Sequence, residues 1–310
     1  MPGGAEGTAR PRSLAYRLKR ALAIMALFYL AVVGMLYALQ TKIIFPGAST
    51  QGQPDAIVVP PRGARLLELG SEGKPKIVAL FGTALDKDRN PAADAANRPT
   101  ILFFYGNGMC LADTLEEFEE FRSLGANVLI PDYLGYGLSG GEPSEAGCYA
   151  TADAAYDWLI ESSEVDPGKI LVGGWSLGAA VATDLAVRKP VVGLMMLSPF
   201  TSTAQMAAVH YPFLPAGPLL KHRFENLKKI PQVKVPILIG HGTLDDIVPF
   251  EMSKRLAAAA TAPVVHVEVP GAYHNDFMIV GRSRVHSELA RRIAALGSQP
   301  DAQPAAAPSR

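Results

Sequence analysis

The chain has 310 residues, 49% hydrophobic and 19% charged, enough to bury one sizeable core or two small ones. Its 29 basic and 29 acidic residues cancel to zero formal charge. That balance argues against nucleic acid as a partner, which needs a concentrated positive surface. Two cysteines, Cys110 and Cys148, are too few for a disulfide scaffold and read as free thiols, with a single bridge as the alternative.

Residues 1–20 form a basic segment, and residues 21–39 an uncharged apolar run. As a helix that run would be about 28 Å long, close to one hydrocarbon core. Arg10, Arg12, Arg17, Lys19 and Arg20 precede it, whereas only Lys42 follows closely. The positive-inside rule predicts a single-pass transmembrane anchor with a cytoplasmic N-terminus and the rest of the chain on the far, periplasmic or lumenal side. A cleaved signal peptide is the alternative, although the small residues Gly47-Ala48-Ser49 lie well beyond the run.

From about 56 to 296, short β-like runs alternate with helical ones. Arg65–Leu69 and Lys76–Phe81 read as an opening antiparallel pair. Then follow Thr100–Tyr105, Asn127–Pro131, Lys169–Gly173, Val191–Leu197, Pro236–Gly240 and Val264–Val269, mostly continuous apolar runs, as strands covered on both faces should be. Helices are predicted at Asp113–Leu124, Ala150–Ser162, Leu177–Lys189, Glu251–Ala260 and His274–Leu296. This alternation predicts an α/β fold with a mostly parallel twisted sheet, helices on both faces, and its active edge at the carboxyl ends of the strands. The polar stretch Ala84–Arg98 reads as a long surface loop, and 297–310 as a disordered tail.

Gly174-Trp175-Ser176-Leu177-Gly178 joins one predicted strand to the next helix. A serine on such a sharp turn has its hydroxyl thrust clear of the backbone, and the flanking glycines let the neighbouring chain pass. Ser176 is therefore the candidate nucleophile, against an ordinary Gly-rich turn. It needs a base, an acid to orient that base, and donors for an oxyanion. Of six histidines, His274 alone sits just past the last predicted strand, where a loop can bring it over the sheet. His266 lies inside that strand, His286 on the last helix, His210 and His222 in a Pro-rich stretch, and His241 in a turn ending another strand. Asp245 and Asp246 are both candidates for the acid, and either completes the chain order Ser, Asp, His. The oxyanion hole should combine the amide of Leu177 with one from Tyr105-Gly106-Asn107-Gly108-Met109, where Asn107 is the favoured donor.

Asp86-Lys87-Asp88-Arg89-Asn90 echoes a calcium loop, but Pro91 and Asn97 stand where glycine and glutamate are needed. There is no zinc spacing and no phosphate-binding glycine loop, so neither metal nor cofactor is implied. Cys110 reads as a buried packing thiol or as a lining residue of the site.

These residues resemble the α/β-hydrolase family, and within it a membrane-anchored, bud-emergence-related branch of serine hydrolases that includes protein depalmitoylases and lysophospholipid hydrolases. The matching stretches are Tyr105–Gly108, Asp132–Gly140 with Pro143-Ser144-Glu145, the Ser176 turn, Ser198–Ser202, the Asp245 motif, Gly271–His274, and Gln40–Pro46. The resemblance implies a Ser176, Asp245, His274 triad, with Asp245 as the acid because it is the first aspartate after His-Gly-x-x. It also makes the Asp132–Gly140 loop a structural neighbour of the site. One departure is Tyr105, where the family commonly has a histidine supporting the oxyanion loop; the change is expected to loosen the loop without removing the chemistry.

Residues of about 200–235 interrupt the core pattern and contain Tyr211, Pro212, Phe213, Leu214, Leu219 and Leu220, then Lys221, His222 and Arg223. They read as a small apolar lid with a basic rim, or as a packed excursion without ligand contact. The expected function is a membrane-bound serine hydrolase of carboxylic esters or thioesters, with an acyl lipid or acylated protein as substrate. A serine peptidase of the same fold and a degenerate, membrane-bound binding protein are the alternatives.

Overall fold

The computed structural model describes residues 13–70 and 73–297, so most of the basic segment and the tail at 298–310 lie outside the described residues. The chain divides into two compact units after Gln40. The first holds most of helix α1, Leu14–Ile44, which is long and apolar enough to cross a membrane. It exceeds the expected span at both ends. Good helix formers precede the apolar run, and Pro46, which cannot donate to a helical carbonyl, stops the helix soon after it.

The second unit begins at Thr41, and so takes in residues ahead of the expected start near 56. Its core is one eight-stranded sheet: β1 Ala64–Leu69, β2 Ile77–Gly82, β3 Thr100–Phe104, β4 Asn127–Pro131, β5 Ile170–Trp175, β6 Gly193–Leu197, β7 Ile237–Gly242 and β8 Val264–Val269. The order is β1-β2-β4-β3-β5-β6-β7-β8. β1 and β4 each run antiparallel to β2, and all other pairs are parallel. Because β3 leads back to β4 but lies beside β5, the order reverses at β3, where open α/β sheets place their sites.

Helices α2 Leu115–Ser123, α3 Glu145–Glu161, α4 Leu177–Arg188, α5 Thr203–His210, α6 Ala216–Leu219, α7 Asn226–Lys229, α8 Glu251–Ala259, α9 Phe277–Val280 and α10 Arg282–Gly297 fill the connections. α3 packs on α4, while Arg282 of α10 pairs with Glu116 and Glu120 of α2. Right-handed crossovers that leave β3 and β5 in opposite directions put α2 and α4 on opposite faces. β2, β3, β4 and β6 are buried along their whole length, which explains why they read as unbroken apolar runs.

Three expectations need correction. The last helix is two, α9 and α10, and His274 lies in the loop before them. The break falls at Gly281, where a Cβ would stand 2.7 Å from the Phe277 carbonyl oxygen and 2.9 Å from Val269. The stretch Ala84–Arg98 is more than a surface loop: Ala84, Ala92 and Ala95 form a small buried cluster, held where Asn127 bonds the Ala84 amide and the Ala95 carbonyl. α3 starts five residues earlier than its apolar pattern suggests, because Ser144 accepts from the Gly147 amide and caps it.

α4 is the most deeply seated helix, with ten buried residues; Val181 and Leu185 contribute about 2 kcal/mol each by leaving water. Its first turn presses on β3 so closely that a Cβ on Gly178 would overlap the Phe104 carbonyl group. The obstacle is backbone, which cannot rotate away. Gly178→Ala should therefore lower stability by at least about 2 kcal/mol, measured by urea unfolding; an unchanged midpoint would show that the contact relaxes freely.

Candidate active site

Ser176 links β5 to α4 with φ 54° and ψ −111°, a backbone that non-glycine residues rarely adopt. Such strain persists only where the surroundings over-determine it. Here the Ser176 amide donates to the Leu197 carbonyl at 2.8 Å, and Gly174 and Gly178 leave no Cβ in the way. The turn puts Ser176 immediately before the N-terminus of α4, where the helix dipole favours negative charge.

The loops after β7 and β8 are laced together. Thr243 and Leu244 donate to the Val269 and Ala272 carbonyls, each at 3.0 Å, and the Gly271 amide donates to Thr243 Oγ1 at 3.0 Å. This lacing brings Asp245 to His274, whose Nδ1 lies 2.7 Å from Asp245 Oδ2. Nδ1–H donates to the carboxylate, so Nε2 is left as the basic nitrogen. Trp175, the residue before Ser176, stacks on the His274 ring with centroids 5.3 Å apart and planes 27° apart. The imidazole therefore stands beside the serine turn. Asp246 is exposed and, among the described residues, reaches only the His274 amide, at 3.5 Å.

His241, read from sequence as a turn residue, is fully buried behind this pair. Its Nε2 lies 3.0 Å from Asp245 Oδ2 and 3.0 Å from the Val248 carbonyl oxygen. A carbonyl only accepts, so Nε2 carries the proton and shares it with the carboxylate. Asp245 Oδ1 accepts from the amides of Val248 at 2.7 Å and Ile247 at 3.0 Å. Burial pushes the Asp245 carboxyl up, but the His241 and His274 hydrogen bonds, with the charge at His274 and the Val248 amide, hold it well below the usual carboxylate range. The signal for His241 was its place four residues before the acid, at the end of a strand running into the site.

On the other side, the loop after β3 presents Asn107. Among the described residues, neither the Asn107 amide nor that of Leu177 has a hydrogen-bond acceptor, so both N–H groups remain available. Tyr105 does not loosen this loop, contrary to expectation. It is fully buried, its hydroxyl donates to Asp132 Oδ1 at 2.8 Å and accepts from the Tyr133 amide at 3.2 Å. Tyr133 donates in turn to the Tyr105 carbonyl at 2.9 Å. Asp132 also accepts from the amides of Leu111 and Leu138, at 2.7 and 2.8 Å.

The remaining histidines lie away from the Ser176 turn: His210 meets the Ile247 carbonyl, His266 meets Ser253, and His286 Nε2 stands 3.3 Å from a Glu120 carboxylate oxygen. His222 is not on a basic rim. It is 9% exposed and faces inward, to Thr41 and the Glu145 amide. Cys110 and Cys148 are both free and buried, and burial pushes the Cys110 thiol up to about 11, away from thiolate chemistry.

Residues 103–228 match the model of the alpha/beta hydrolase family. An uncharacterized protein of Mycobacterium tuberculosis is 40% identical over 256 residues, covering 82% of this chain and 87% of that one. The alpha/beta hydrolase domain-containing protein 17B of Xenopus laevis is 33% identical over 184 residues, 59% of this chain and 62% of its own. Among solved structures, an esterase of Pyrococcus furiosus superposes with a TM-score of 0.58 at 18% identity, over 78% of this chain and 100% of that one.

The buried charge at Asp245 has a measurable consequence. Its carboxyl ionises lower in the folded chain than in the unfolded one, about 3.9. The stabilisation from that difference is complete above about pH 4 and is lost as the pH falls towards the depressed folded value. Asp245→Asn should be less stable than wild type near pH 7, with the gap closing below about pH 4, as read by urea unfolding across that range. A gap independent of pH would mean that the charge contributes nothing.

Proposed function

We propose that the chain, whose fold is that of the alpha/beta hydrolases and whose residues 103–228 match that family's model, is a serine hydrolase of carboxylic esters or thioesters, tethered to a membrane by α1. The observation that carries this reading is the strained Ser176 turn, with the Asp245-bound His274 stacked on the adjacent Trp175.

Ser176 Oγ attacks the acyl carbonyl while His274 Nε2 takes its proton. The negative charge that develops on the carbonyl oxygen is met by the Leu177 and Asn107 amides and the N-terminus of α4. As the tetrahedral adduct collapses, His274 returns the proton to the departing alcohol or thiol, leaving an acyl group on Ser176. Water, deprotonated by the same nitrogen, then releases the acid. Asp245 stays ionised throughout, because four donors meet its two oxygens. It fixes the tautomer of His274 and stabilises the transient imidazolium.

Acylated lipids or proteins suit this arrangement as substrates. Val209, Tyr211, Phe213 and Leu219 are exposed on the segment after β6, and His210 ties that segment to the loop carrying Asp245. An apolar surface beside the loop that carries Asp245 fits an acyl chain, and a tether raises the local concentration of membrane-borne esters. The reading extends to the membrane-anchored branch, with the N-terminus cytoplasmic and the hydrolase unit on the far side.

Ser176→Ala should abolish labelling by a fluorophosphonate probe and lower p-nitrophenyl ester hydrolysis by at least about 10³-fold. Equal labelling of variant and wild type would sink the proposal.

A further inference from the structure

The last turn of the apolar helix and the residues just after it do more than lead into the fold. Asn107 Nδ2 donates to the Ile44 carbonyl at 3.1 Å, and the Gly47 amide donates to the Asn107 carbonyl at 2.9 Å. Tyr136 shares that carbonyl, donating from its hydroxyl at 3.1 Å. The side chain and the carbonyl of Asn107 are therefore both held by main chain from 44–47.

The hold continues along the segment. The Gly137 amide donates to Thr50 Oγ1 at 3.1 Å, the Gly52 amide donates to the Gly137 carbonyl at 2.9 Å, and Gln51 Nε2 donates to the Ser139 carbonyl at 2.9 Å. Thr41 Oγ1 meets His222 Nε2 at 3.1 Å, and Phe45, 1% exposed, packs edge-on against His222 and Phe224. Gly47 fits because it has no side chain. A Cβ there would stand 2.7 Å from the Met109 carbonyl oxygen and 2.8 Å from that of Asn107, and would overlap the Tyr136 ring.

We propose that the segment Thr41–Gly52 is a built-in part of the active site, in which the backbone of Ile44 and Gly47 positions Asn107 so that its amide aims at the oxyanion. This inference rests on the serine hydrolase reading. Asn107 presents its amide to substrate, and Ile44 and Gly47 are positioning residues that act through it. Displacing a preorganised donor by a fraction of an ångström weakens transition-state binding far more than ground-state binding. A cut at the small residues Gly47-Ala48-Ser49 would part Ile44 and Gly47 from the rest of the chain, so the segment must stay intact for full rate.

The test uses the full-length chain with p-nitrophenyl butyrate and two variants. Asn107→Ala keeps the amide but removes its bond to Ile44. Gly47→Ala drives a methyl group into the Asn107 and Met109 carbonyls. Each should lower kcat about 10- to 100-fold with KM changed less than about twofold, and should weaken inhibition by an alkyl boronic acid, which forms a tetrahedral adduct, by a similar factor. Wild-type kcat in Asn107→Ala, or a loss confined to KM, would overturn the proposal even if Gly47→Ala fails to fold. Ser176→Ala separates the two levels. If wild-type hydrolysis does not depend on Ser176, the serine hydrolase reading falls and takes this inference with it. If hydrolysis depends on Ser176 but not on Asn107, only the positioning inference falls.

Discussion

The site depends on one close approach, that of α4 to the end of β3. Where Gly178 lies on the Phe104 carbonyl, no side chain separates helix from strand. Two consequences follow from that contact. It draws Leu177 and the Ser176 turn against the sheet, and it sets them beside the loop that leaves β3 at Tyr105. Ser176 and the Leu177 amide are thus positioned by the same backbone packing, next to the loop that carries Asn107. The positive φ at Ser176 is the conformational cost of that packing, and the Ser176–Leu197 hydrogen bond across to β6 helps to offset it.

Asp245 is organised by the opposite means, through saturation with polar partners. Asp245 is buried with two histidines on one oxygen and two amides on the other. Burial alone would neutralise a carboxyl group; four donors reverse that outcome. His241 matters here because it supplies one of them without facing the serine. The arrangement gives the buried His274 a fixed charged partner.

Much of this was legible in the chain because central strands and sharp turns write strong local patterns. All eight strands were expected close to their observed places, most of them as apolar runs, and Ser176 and His274 are marked by glycines and by their places after strands. The residues that escaped are those whose role is set by distant partners. Nothing in His241-Gly242 tells whether its imidazole faces solvent or turns back on Asp245. Tyr105 looks like the loss of a supporting histidine, yet its hydroxyl reaches Asp132, 27 positions away, and braces the loop by another route. The choice between Asp245 and Asp246 is likewise a matter of which side chain the turn aims inward.

The segment after α1 was the least legible of all, for a physical reason. Its hold on Asn107 runs through a carbonyl at Ile44 and an amide at Gly47, groups that every residue but proline possesses. Main-chain contacts leave no side-chain signature, so the expected domain start near 56 left 41–52 outside it. The exception is Gly47, whose missing Cβ admits the Tyr136 ring and two carbonyl oxygens. A flexible leader would raise local substrate concentration equally well and would need no such fit. The close packing at Gly47 and the burial of Phe45 argue that this stretch belongs to the fold, with the loop that carries Asn107 as the element it braces.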